Sequence, residues 1–132
     1  MSRFTVGING YGTNPVVNCF EEVARAVRFS LLELGHEVPD HTDPRPGRLI
    51  MFGANNFVDP HGNMPADAIV FNNEQLGAPE VMRDPRWQMV NHEQYRRHVV
   101  WDYSGANVPA LKKLGIDRVV LCPVGYHESM VK

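Results

Sequence analysis

The sequence has little of what marks a special class of protein. Among 132 residues there are two cysteines, Cys19 and Cys122, with no C-x-x-C spacing. A disulfide-stapled scaffold is therefore not expected. Both thiols sit in apolar segments, VVNCF and VVLCP, and read as buried free thiols rather than as a bridge. Charge of either sign is not in excess: 13 Lys+Arg stand against 15 Asp+Glu, a formal net charge of -2. No basic surplus points to nucleic acid, and no charged tail points to an electrostatic partner. No apolar run approaches the roughly 18 residues of a membrane span, and MSRFTVGIN is not a signal-peptide leader. A cytoplasmic protein without a membrane span is the expectation. Internal repeats, low-complexity tracts and linkers are also missing.

Recognisable catalytic and metal motifs are equally scarce. No H-E-x-x-H and no G-x-S-x-G occurs, and the six histidines fall at no metal-ligand spacing. No metal is expected. His61 in DPHG reads as a solvated loop histidine, with a general base as the other reading. The Arg96-Arg97 pair reads as a solvated face, with a phosphate contact as the other reading.

What is present is a hydrophobic fraction of 43%, enough for one core, so residues 1–132 are expected to form a single domain. Short continuous apolar runs are expected as strands at 4–9, 49–52, 68–71, 99–101 and 118–122. Residues 37–41 are a possible further strand. Val16, Phe20, Val23, Ala24, Val27, Leu31 and Leu34 recur in steps of three and four, which predicts an amphipathic helix closed by Gly35 at C′. Asn107 is expected to cap a short helix that runs to Leu114, with Gly115 at its C′. Runs that are apolar throughout are covered on both faces, and such strands belong to parallel sheets. The expected fold is α/β: a three-layer, Rossmann-like domain with a mainly parallel sheet of five or six strands.

In such sheets ligands bind beyond the carboxyl ends of the strands, near the topological switch point. Here those ends carry small and polar residues: Asn9-Gly10-Tyr11-Gly12, Asn55-Asn56, Asn73-Glu74, Asp102-Tyr103-Ser104 and Gly125-Tyr126. Asparagine and glycine are turn formers in any case. Glu74, Trp101, Asp102 and Tyr103 are less well explained that way. VGINGYG also matches the first two glycines of G-x-G-x-x-G, at Gly10 and Gly12, but Pro15 stands where the third glycine should be. A stand-alone nucleotide- or dinucleotide-binding module is thus one reading. A non-catalytic dimerising domain is another.

Three motifs in the second half go further. FNNEQL at 71–76, then Tyr95, then VWDYSGANVPAL at 100–111 and CPVGYHESM at 122–130 resemble a pattern of N-x-E-Q-L, W-D-Y-S-x-x-N and P-x-G-Y. That pattern is seen in the N-terminal half of certain bacterial and viral glycosyltransferases of the GT-B fold. The resemblance covers roughly residues 66–130. It implies an acceptor-side domain of an enzyme that transfers a sugar from a nucleotide-sugar donor to a carbohydrate or glycoconjugate acceptor. The donor is a co-substrate bound mainly by a second domain or partner chain, and no further cofactor is implied. A homodimer is a further possible partner arrangement. Asn73 and Glu74 fall on the first motif; Trp101, Asp102, Tyr103, Ser104 and Asn107 on the second; Gly125 and Tyr126 on the third. Candidate catalytic residues are Glu74 and Asp102. Glu74 is either a base for an acceptor hydroxyl or a hydrogen-bond partner of sugar hydroxyls; Asp102 is alternatively a cap for the following turn. Candidate substrate-binding residues are Gly10, Tyr11, Gly12, Asn55, Asn73, Tyr103, Ser104 and Tyr126.

Overall fold

The apolar runs become the strands of one parallel sheet. The computed structural model describes residues 2–8, 20–39, 47–52, 64–72 and 95–123. Its elements are β1 (Phe4–Ile8), α1 (Glu21–Glu33), β2 (Arg48–Phe52), β3 (Ile69–Asn72), β4 (Val99–Asp102), α2 (Asn107–Lys113) and β5 (Val119–Leu121). The sheet order is β1-β2-β3-β4-β5, and every pairing is parallel.

β1 ends the five-stranded sheet. Its other side carries a parallel bridge from Arg3 to Glu37: Phe4 N–H donates to the Glu37 carbonyl (2.9 Å), and Glu37 N–H donates to that of Ser2 (2.9 Å). On the opposite side Arg48 N–H donates to the Arg3 carbonyl (2.9 Å). The sheet thus has five strands; of the possible further strand at 37–41, the described residues show this single bridge at Glu37. The chain steps outward from β1 to Glu37 and then returns to the other side of β1 to form β2. That reversal is the topological switch point, and it lies between β1 and β2.

The helices obey the same logic. Leaving β1, α1 packs on one face, against Ile50, Phe52, Ile69 and Phe71. Leaving β4 in the opposite direction across the sheet, α2 packs on the other, where Leu111 and Ile116 join Val70, Val100 and Tyr95. Connections that run in opposite directions and share one hand must lie on opposite faces. The result is the three-layer, Rossmann-like arrangement. Side chains alternate along each strand, so Ile69 and Phe71 serve one core, while Ala68 and Val70 serve the other. The Phe52 and Phe71 rings stack across the first core at 4.6 Å between centroids.

Both helices end as their glycines predict. Gly35 (φ +88°) and Gly115 (φ +80°) are left-handed. His36 N–H donates to the Leu31 carbonyl and Gly35 N–H to that of Leu32, both at 3.0 Å. Ile116 and Gly115 repeat the pattern on Leu111 and Lys112. These paired bonds form the Schellman motif, which satisfies the last carbonyls of each helix. Three details differ from expectation. Leu34, the last residue of the expected apolar stripe, caps α1 and is 75% exposed. The expected first turn, with Val16, lies outside the described residues. Asn107 is the first residue of α2, and Ala106 stands at the N-cap with no side-chain cap bond.

Candidate functional site

The carboxyl ends of β3 and β4 hold a buried polar knot. Asn72 ends β3 and Asp102 ends β4, and they are register partners. Period-two alternation sends both side chains to the face of Val70 and Val100. Both are at most 1% exposed. Asn72 Nδ2 donates to Asp102 Oδ2 at 2.7 Å. Tyr95, fully buried on the same face, donates its hydroxyl to Asn72 Oδ1 at 2.9 Å. Asn107 Nδ2 donates to Asp102 Oδ1 at 3.0 Å, and so does the Ser104 backbone N–H at 2.9 Å. A buried carboxylate is costly unless donors surround it. Asp102 has three.

The local sequence explains the turn. An aspartate that accepts from the N–H two residues on makes an Asx turn. Ser104 repeats the device: its hydroxyl accepts from Ala106 N–H (3.3 Å), and its carbonyl accepts from Asn107 N–H (3.0 Å). Asn107 closes the loop by reaching back to Asp102. The Asp102 carbonyl also accepts from Cys122 N–H at 2.7 Å, which ties in the end of β5. The spacing D-x-S-x-x-N therefore encodes a rigid strand–turn–helix.

This geometry distributes the candidate residues. Asp102 lies inside the domain, with no exposed surface, where it joins β3, β4 and α2. A carboxylate there is held by its neighbours, and the alternative of a turn-holding role fits its position. Tyr103 and Ser104 are half-buried at the strand end. Trp101 points to the α1 face, half-buried, and with Phe71, Val27 and Cys122 lines an apolar groove of about 320 Å³. The switch point lies beside Ile8 and Phe52. In sequence, Gly10, Tyr11 and Gly12 follow the first of these strands and Asn55 the second. Asn73 and Glu74 directly follow β3. Those six residues and Tyr126 lie outside the described residues, as do Gly125, Cys19 and His61.

Asn72 and Tyr95 complete the knot and are not among the candidate residues above. An asparagine that ends an otherwise apolar strand was the available signal. It is also the first residue of N-x-E. Two further polar side chains among the described residues bond to backbone carbonyls. His98 is buried, with Nε2 3.1 Å from the Pro65 carbonyl. Arg96 donates to the Leu114 carbonyl at 2.8 Å and so helps to close α2. Burial pushes the Cys122 thiol above its ordinary range. Among the described residues, no three His, Cys, Asp or Glu side chains cluster as a metal would require, and no helix is long and apolar enough to cross a membrane. No protein-family model matches the chain, and no match was found among curated proteins or solved structures.

Proposed function

We propose that this chain is the acceptor-side domain of a GT-B-like glycosyltransferase, which holds a carbohydrate or glycoconjugate at the carboxyl edge of its sheet. One observation carries the reading. Asn72, the first residue of N-x-E, and Asp102 and Asn107 of W-D-Y-S-x-x-N join at the ends of β3 and β4 in one knot, with Tyr95 attached. That the proposed motifs belong to one three-dimensional unit supports reading them together. Within it, Asp102 is a positioning residue. Glu74, two residues beyond Asn72, is the side chain proposed to accept the proton of an acceptor hydroxyl or to bind sugar hydroxyls. Tyr103 and Ser104 frame the same edge. The nucleotide-sugar donor is held by a second domain or partner chain, and the acceptor half alone does not catalyse transfer.

The test is a pair of measurements on the 132-residue chain. On a glycan array the chain is expected to retain saccharides. In thermal unfolding, UDP-sugars, GDP-sugars and NAD are expected to leave the midpoint within about 1 °C, because a ligand stabilises only the fold that binds it. Strong stabilisation by a nucleotide, without glycan retention, would overturn the reading in favour of a nucleotide-binding module.

A further inference from the structure

β1 ends the five-stranded sheet, with a single bridge at Arg3–Glu37 beside its start, and none of its five residues is buried, whereas all four of β3 are. Beside it lies a groove of about 850 Å³ between β1 and α1, of the size that small-molecule sites have. Its floor includes Val6, Ile8 and Val38, and it borders the strand ends at the switch point. Its α1 wall is charged. Arg25 and Arg28 both line it, three residues apart on one helix face. Arg28 is half-buried, with its guanidinium 5.5 Å from the centre of the Phe29 ring. The acidic residue on this wall is Glu21, which faces Arg25 across 3.8 Å with both side chains nearly half exposed. A pair so long and so exposed holds the guanidinium weakly. Two planar forks above an apolar floor match a ring that carries a phosphate, since guanidinium binds such oxygens in pairs.

We infer that this groove holds the phosphate group of a sugar monophosphate, with the sugar ring against Val6 and Ile8. The inference rests on the transferase reading for the saccharide and names its class: an anionic acceptor. Arg25 and Arg28 are then specificity-determining residues.

The experiment is calorimetric titration of the chain with glucose 6-phosphate, glucose and uridine monophosphate. Glucose 6-phosphate is expected to bind at least about tenfold tighter than glucose, the worth of one charge-assisted contact. R25Q/R28Q is expected to lose that preference, and E21Q to gain about twofold by freeing Arg25. If R25Q/R28Q does not fold, R25K/R28K takes its place; it keeps the charge but not the fork, and a loss of about threefold is expected. Equal binding of glucose and glucose 6-phosphate, or an unchanged preference in the arginine variants, overturns the inference. So does uridine monophosphate binding more tightly than the sugar phosphate. Absence of a phosphate preference in the unaltered chain while neutral glycans are still retained on the array overturns the inference alone and leaves the transferase reading standing.

Discussion

Asp102 has a geometry that makes its substitution informative. Its two oxygens take three hydrogen bonds, and the residue has no exposed surface. Asp102→Ala strands the Asn72 and Asn107 amides and the Ser104 N–H together, and a loss of about 3 kcal/mol or more is expected in urea unfolding. Tyr95→Phe removes one hydroxyl donor and leaves Asn72 Oδ1 with one partner fewer, so a smaller loss of about 1–2 kcal/mol is expected. The two should not add, because both act on Asn72. A thiol gives a second test at this scale. Burial favours the neutral Cys122 thiol and raises its pKa, so less thiolate is present at a given pH. In a Cys19→Ser background, Cys122 is expected to react with a thiol reagent at pH 8 several-fold more slowly than after unfolding in urea. Equal rates would show that the site is open.

Elements were legible in this sequence where a local rule sufficed. The five apolar runs gave strands within a residue or two of their observed bounds, because a run closed by turn formers has few other fates. Gly35 and Gly115 announced two helix ends, because a left-handed residue there strongly favours glycine. Gly115→Ala is expected to cost about 1 kcal/mol in thermal or urea unfolding, from backbone strain alone, since nothing crowds the new Cβ closer than 3.7 Å. Gly47 was not legible. A Cβ there would lie 2.7–2.9 Å from the backbone of Arg3 and Phe4, a contact between segments over 40 residues apart. Gly47→Ala is therefore expected to cost more than Gly115→Ala, about 2–3 kcal/mol, because backbone must move. The polar knot was half legible for the same reason. Asp102, Ser104 and Asn107 are near in sequence and their spacing spells a turn. That Asn72 and Tyr95 complete it depends on strand register and on packing, which no local pattern states.

At the scale of the whole molecule, sheet order decides where a ligand can sit. The bridge at Glu37 turns a run of sequential strands into a sheet with a reversal at β1, and that reversal puts the crevice beside Ile8 and Phe52. The α1 groove borders that crevice, and the knot anchors the strand ends farther along the same edge. A saccharide lying along the carboxyl edge would meet the segments that carry Glu74, Tyr103 and Ser104. The most direct test of this account is glycan retention by the chain and by Glu74→Gln, compared side by side with their urea unfolding midpoints. Glu74→Gln is expected to bind at least about tenfold more weakly, as loss of a charge-assisted hydrogen bond requires, while both proteins unfold at the same urea concentration. A folded chain that retains no saccharide, or retains it equally with glutamine at position 74, would contradict the account.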